Sequence, residues 1–201
     1  MRALSQRVIG EVIADYDFTG AERVLDVGGG LGHFLAALLA AHPGLEGAVI
    51  DVPDVAAAAL RELRRAGLQD RAVAIGGSFF EPLPAGYDVH LLKWILHNWD
   101  DDACLSLLSA CRRALPDDGR LLVVEQLLPD DASGMGALHP AVAMDLMMLV
   151  NFADARERQL AEYEHLLHSS GFALARVVSL PGGHSVLECR PTEHSTRGDS
   201  P

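Results

Sequence analysis

The chain has one lysine, Lys93, among 201 residues, only three cysteines, and aromatic side chains at only 5%. Cys104, Cys111 and Cys189 are odd in number and form no C-x-x-C pair, which argues against a disulfide framework and against a cysteine zinc site. No stretch nears the roughly 18 apolar residues a membrane-spanning helix needs. The opening MRALSQRVIG lacks the basic-then-apolar pattern of a signal peptide, so a cytoplasmic location and no membrane partner are expected. Positive charge is scarce: 16 Lys plus Arg face 28 Asp plus Glu, a net of −12. Such a chain repels phosphate backbones, and no nucleic-acid partner is expected. What it does have is 49% hydrophobic residues, enough for one folded core at the usual size of about 100 to 200 residues per domain.

Short β-rich runs alternate with helical stretches, the pattern of a parallel sheet covered by helices. ERVLDVGGG reads as strand and turn, and LGHFLAALLAAH as a helix with Leu31, Phe34, Leu35 and Leu38 on one face. GAVIDVPD is a second strand, and Asp54 is placed to cap VAAAALRELRRAG, which Gly67 stops. RAVAIGG, YDVHLLKW and RLLVVEQLL supply three more strands. Between the last two, DDDACLSLLSACRRAL is a helix with acids in its first turn and arginines in its last. Beyond Ala132, HPAVAMDLMMLVNF reads as an apolar helix and RERQLAEYEHLLHSSG as an amphipathic one ending at Gly171. FALARVVSL and HSVLECR then form a hairpin about Pro181, Gly182 and Gly183. Residues 1–20, with Leu4, Val8, Ile9, Val12 and Ile13 at helical spacing, form a connecting helix; 21–190 form one α/β domain; 191–201 are a polar, disordered tail.

The turn after the first strand carries chemistry. VLDVGGGLGHF spaces an acid and three glycines as D-x-G-x-G-x-G, from Asp26 through Gly28, Gly30 and Gly32. Glycines there let the chain turn sharply and let a ligand approach the backbone at a helix N-terminus. The dinucleotide fingerprint G-x-G-x-x-G fails in both registers, because His33 or Leu35 stands where its last glycine belongs. A carboxylate so close to the turn disfavours a pyrophosphate and suits a ligand bearing ammonium or sulfonium groups, which points to S-adenosylmethionine. Asp51, 25 residues on at the end of the second strand, stands where nucleotide-binding α/β folds place a carboxylate for the ribose hydroxyls.

The blocks LDVGGGLG, IDVPDV, GSFFEPLP, LLKWILHNWDDDACLSLL, LPDDGRLLVVEQLLP and ARERQLAEYEHLLHSSGF follow in that order between Arg23 and Arg190. Together they resemble the catalytic domain of the small-molecule O-methyltransferases, plant caffeate-type and bacterial polyketide-tailoring enzymes. The resemblance implies a doubly wound, mostly parallel seven-stranded sheet of the class I methyltransferase (Rossmann-like) kind, ending in an antiparallel hairpin. It implies S-adenosylmethionine as cofactor, no metal, and a hydroxylated aromatic or polyketide acceptor. In that family the histidine of an L-H-D-W block is the general base, which falls on His97, and two orienting acids fall on Glu125 and Glu157. Lys93, Val52, Ser78 and Phe79 fall beside the cofactor, and Trp94, Asn98, Met144, Met148 and Phe152 beside the acceptor.

A phenol with pKa near 10 and an imidazole near 6.5 differ by about 5 kcal/mol, so the proton must leave as the methyl arrives. A carboxylate on the far ring nitrogen would fix the tautomer and stabilise the imidazolium. The first acid after Asn98, Asp100, reads as a helix cap, and Asp101 and Asp102 as first-turn acids, rather than as a metal site. Three departures from the family pattern stand out. GSFF replaces a G-D-x-F block, putting Ser78 where an acid is usual, and LHNW puts Asn98 in place of aspartate. The chain also starts at the connecting helix, without the helical domain through which the family dimerises, so a homodimer or a partner chain is expected to complete the acceptor pocket. Two other functions fit the same residues: a non-catalytic cofactor-binding or scaffolding module, and a same-fold enzyme diverted to hydroxylation or decarboxylation.

Overall fold

The computed structural model describes residues 2–129 and 156–192. Among them, in chain order, are α1 (Arg2–Asp15), β1 (Arg23–Val27), α2 (His33–Ala41), β2 (Glu46–Asp51), α3 (Pro53–Arg65), β3 (Ala72–Gly76) and β4 (Val89–Lys93). A 3-10 turn (Leu96–Asn98), α4 (Asp101–Ala114), β5 (Arg120–Leu128), β6 (Arg158–Gln159), α5 (Leu160–Ser169), β7 (Phe172–Ser179) and β8 (His184–Pro191) follow. The sheet order is β3-β2-β1-β4-β5-β8-β7. Pairs from β3 through β5 are parallel, while β8 runs antiparallel to both its neighbours. This is the expected seven-strand path with a terminal hairpin; the two-residue β6 adds a parallel rung to β5.

The chain begins in the middle of the sheet, builds outward to β3, then returns to lay β4 on the other side of β1. Such a reversal opens a crevice at the C-terminal ends of the two central strands. The glycine turn leaves β1 and the His97 segment leaves β4, so both candidate regions arise at that crevice.

Strand side chains alternate between two cores, as a sheet with helices on both faces requires. Val24, Leu91, Leu122 and Val124 pack with α1, α2 and α3, whereas Leu25, Leu92, Leu121 and Val123 pack with α4 and α5. The same alternation sends Asp26 and Lys93 to the α1–α2 face and Glu125 to the α4–α5 face. At about 1.5 to 3 kcal/mol for each large apolar side chain buried, these layers fix the strand register before any polar contact is counted. α1 belongs to this framework, with Val8, Ile9 and Val12 buried against α2.

Several element boundaries differ from the sequence expectation, each for a local reason. α1 stops at Asp15, and Tyr16 and Phe18 of the following turn are buried edge to face. α2 starts at His33, because Gly32 holds a left-handed conformation, and Leu31 is 43% exposed instead of lying on the apolar face. α3 starts at Pro53, whose ring presets the helical φ, so Val52 takes the cap position and Asp54 sits in the first turn. α5 starts only at Leu160, where Gln159 and Glu162 form a reciprocal capping box. β8 runs to Pro191 and Thr192 donates to the Gly171 carbonyl, so the chain is still paired where the tail was expected to begin. HPAVAMDLMMLVNF lies outside the described residues, and with it Met144, Met148 and Phe152.

Candidate active site

The glycine turn is built from backbone. Gly28, Gly30 and Gly32 all have positive φ, a region side chains rarely enter without strain. Gly28 donates to the Ile50 carbonyl, and a Cβ there would stand 2.5 Å from Ile95 Cδ1. At Gly30 a Cβ would meet nothing within 4 Å, so that face of the backbone is open. The Gly30 amide donates to Asp51 Oδ2 at 2.9 Å and the Val52 amide to Oδ1 at 2.8 Å. Two carboxylate oxygens carry about four acceptor sites, so Asp51 keeps capacity for a ligand's hydroxyls.

Asp26 is almost fully buried beneath this turn, and its Oδ2 has no hydrogen-bond partner among the described residues. Burial pushes its carboxyl up to about 7, against the attraction of Lys93 and a backbone amide. Burial likewise holds the Lys93 ammonium below its ordinary value, opposed by Asp26 and Glu125. A cavity of about 220 Å³ runs along the turn, lined by Asp26, Gly28, Lys93 and His33 with Ser5 and Ile9 of α1. It adjoins one of about 470 Å³ that Trp94 and Leu31 help to line. Ser5, Ile9 and His33 were not expected at the site, Ile9 having been read only as part of the apolar stripe of α1; the signal was the i, i+4 spacing of Ser5 and Ile9 on the helix entering β1. Ser78 is exposed, and its Oγ accepts from the Phe80 amide. Phe79 packs beside Gly28 and, with Phe80 and Trp99, forms a cluster of tilted and edge-on rings.

The base segment starts at Trp94, whose φ of +59° is the one positive value on a non-glycine among the described residues. The Asn98 amide holds this bend by donating to the Trp94 carbonyl at 2.8 Å, a bond an ionised aspartate could not make. The Trp94 ring has the Lys93 ammonium 3.9 Å from its centroid and the His184 ring tilted against it at 5.4 Å. Trp94 therefore borders a cavity, whereas the Asn98 amide is committed to the loop.

His97 meets both expected acids through one nitrogen. Its Nδ1 lies 3.2 Å from Glu157 Oε1 and 3.5 Å from Glu125 Oε2. Among the described residues nothing bonds Nε2, which leaves that atom for an incoming group. Glu125, inside β5 and opposite Ser185 of β8, is completely buried, and its Oε1 accepts from the amides of Ile95 and Leu96 at 3.0 Å each. Burial pushes the Glu125 carboxyl up to about 7, with His97 and the amides opposing and Glu157 reinforcing. Burial alone would lower the His97 pKa; the two carboxylates outweigh it and raise the imidazole above its ordinary value. The sequence pattern put Glu157, the second orienting acid, at the start of the amphipathic helix. It is buried instead, on the extended segment before β6, because α5 starts three residues later.

A fourth group was missed. Arg158 is fully buried and donates to the carbonyls of Leu96 at 2.9 Å and Trp99 at 2.7 Å, and to Asp101. The Arg156 amide adds a bond to the His97 carbonyl at 2.9 Å. The turn bearing His97 is thus held at its amide end by a carboxylate and at its carbonyl end by a guanidinium, the signs its backbone dipoles favour. Asp100 caps α4 as expected, through the Ala103 amide. Asp101 does more than a first-turn acid, pairing with Arg158 and Arg156.

A sequence model of the O-methyltransferase domain family matches residues 1–173. The chain is 40% identical over 187 residues to the phenazine O-methyltransferase PhzM of Lysobacter antibioticus, covering 93% of this chain and 53% of that protein. It is 42% identical over 180 residues to the O-demethylpuromycin-O-methyltransferase of Streptomyces alboniger, covering 88% and 47%. Among solved structures, an O-methyltransferase from neocarzinostatin biosynthesis (NcsB1), in complex with S-adenosylmethionine and 2-hydroxy-5-methyl naphthoic acid, superposes with a TM-score of 0.82. That match is at 36% identity and covers 94% of this chain and 56% of that one. The chain spans about half the length of the curated relatives it matches.

Proposed function

The chain belongs to the O-methyltransferase domain family, and from that premise we propose that it transfers a methyl group from S-adenosylmethionine to a hydroxyl of an aromatic or polyketide-type small molecule, with His97 as general base. The observation that carries the reading is His97 Nδ1 set against two buried carboxylates, with Nε2 bonded by nothing among the described residues.

The residues of the glycine turn suit the cofactor. Asp26 Oδ2, a buried acceptor with no donor among the described residues, would take the ligand's ammonium, and Asp51, beside the open face at Gly30, would accept from its ribose hydroxyls. Val52, Ser78 and Phe79 flank the adenine end and Lys93 the polar tail. When bound, S-adenosylmethionine supplies an electrophilic methyl group. The protein's own work is to hold the acceptor oxygen in line and remove its proton. The hydroxyl proton passes to His97 Nε2 as the oxygen attacks, while the Nδ1 proton stays against Glu157. Each unit by which the carboxylates raise the imidazole removes about 1.4 kcal/mol of its mismatch with a phenol. Trp94, Met144, Met148 and Phe152 are the acceptor-side residues in this reading, and Asn98 serves them by holding the Trp94 bend. A second copy or a partner chain completes that side.

The test is His97→Gln, assayed on a panel of hydroxylated naphthoates and phenazines. Methylation falls about 10²- to 10⁴-fold while affinity for S-adenosylhomocysteine by calorimetry holds. A variant that methylates as fast as the parent protein removes His97 from the chemistry. Absence of S-adenosylhomocysteine binding removes the cofactor.

A further inference from the structure

Glu157 reaches the imidazole from a segment with little secondary structure of its own, and the residue after it is a fully buried arginine. Arg158 spends its donors on three acceptors: Nη1 on the Leu96 carbonyl, Nη2 on the Trp99 carbonyl, and Nε with Nη2 on Asp101 Oδ1. Burying a guanidinium is costly, and an apolar side chain would fill the same space without that cost. The planar fork does what no apolar group can: it ties carbonyls on both sides of His97 to the chain position adjoining Glu157.

We propose that Arg158 is a positioning residue that sets Glu157 against His97 Nδ1 and thereby fixes which ring nitrogen carries the proton. The proposal rests on the reading of His97 as base. Leu96 and Trp99 bracket the imidazole in sequence, so gripping both carbonyls fixes the ring's height above the sheet. The same guanidinium fixes the Glu157 carboxylate through one peptide unit. With Nδ1 donating to Glu157, neutral His97 is held as the Nδ1–H tautomer and Nε2 presents its lone pair. Lysine at 158 would keep the charge and lose the fork, so the carbonyls would no longer be held in one plane.

The experiment is a pH titration of the His97 ring nitrogens by ¹⁵N NMR, assigned against His97→Gln. In Arg158→Lys the Nδ1–H tautomer gives way to Nε2–H and the His97 pKa falls toward its ordinary value of about 6.5. Affinity for S-adenosylhomocysteine stays within about twofold, since the glycine turn shares no partner with Arg158. A variant that melts earlier but keeps the tautomer and pKa makes Arg158 a packing residue and overturns the proposal. If Arg158→Lys does not fold, Asp101→Asn weakens the same grip and moves both signals in the same direction by less, while Asp102→Asn, on the same helical turn, moves neither. An unmoved tautomer in Asp101→Asn is equally fatal. The readout needs no acceptor. A shifted tautomer together with a protein that methylates nothing on the panel therefore supports the positioning role while removing the methyl-transfer reading.

Discussion

The glycine turn and the His97 segment leave neighbouring strands at the same edge of the sheet, yet they are built on opposite principles. The turn is made of contiguous backbone, with Asp26, Gly28 and Gly30 answered by Asp51 only 21 residues from Gly30. The His97 segment is made of side chains from remote places: Glu125 lies 28 residues away, Glu157 60, and Arg158 62 from Leu96. A ligand that must be approached by main chain needs residues with no side chain in the way. A base that must be held in one tautomer needs charges brought in from elsewhere. The difference predicts that the second region is more fragile toward single substitutions.

The largest effect is expected at Glu125. Truncation to alanine leaves the buried amides of Ile95 and Leu96 without an acceptor, at about 1 to 3 kcal/mol for an unsatisfied group. Glu125→Ala should lose about 3 kcal/mol in urea denaturation, and Glu125→Gln, which keeps a carbonyl acceptor, about 1. Equal losses for the two would mean that the carboxylate does not hold the loop, and the proposed contrast between the regions would disappear.

The same contrast decides what could be read from the sequence. The parallel strands covered by helices, the terminal hairpin, the Asp100 cap and the turn with Asp51 follow from patterns confined to a few dozen residues, and the structure has them. His97, Glu125 and Glu157 do come together, but it was resemblance to a family, not spacing, that pointed to them. Arg158 left no local signal, because in sequence it is one arginine in a run read as a surface helix. Only the late start of α5 at Leu160 turns that run inward. Leu31 and Asp54 show boundary errors of opposite sign: one helix was begun two residues early, before the left-handed Gly32, and the other two residues late, after the Pro53 that starts it. Trp94, in a left-handed conformation, is illegible for a physical reason, since no propensity places a bulky aromatic there.

Gly28→Ala probes whether the two regions are independent. The new Cβ would sit at a positive φ and 2.5 Å from Ile95 Cδ1, at the start of the His97 segment. Strain and displacement together should cost about 2 kcal/mol in thermal or urea unfolding. The His97 ring titration should not move, because Glu125 and Arg158 hold the segment by its backbone and not by the Ile95 side chain. A shifted titration would join turn and base into one mechanical unit.

The smallest effect separates the regions by pH. Asp26 has a carboxyl raised to about 7 in the free protein. An acid raised by folding favours the fold in its neutral form, so its contribution is full below the ordinary carboxylate range and is lost as pH rises through about 7. A bound ammonium reverses the preference, since it attracts the carboxylate, and binding therefore expels a proton. Only about one-eleventh of Asp26 is ionised at pH 6 and about ten-elevenths at pH 8, so affinity for S-adenosylhomocysteine should rise about tenfold between them. Calorimetry in two buffers of different ionisation enthalpy should detect close to one proton released at pH 6. Asp26→Asn should flatten the profile. Glu125 also titrates near 7, but it lies on the other face of the sheet, so Glu125→Gln should leave the profile unchanged. If Glu125→Gln flattens it instead, the proton belongs to the base cluster, and the two faces of the sheet share one electrostatic site.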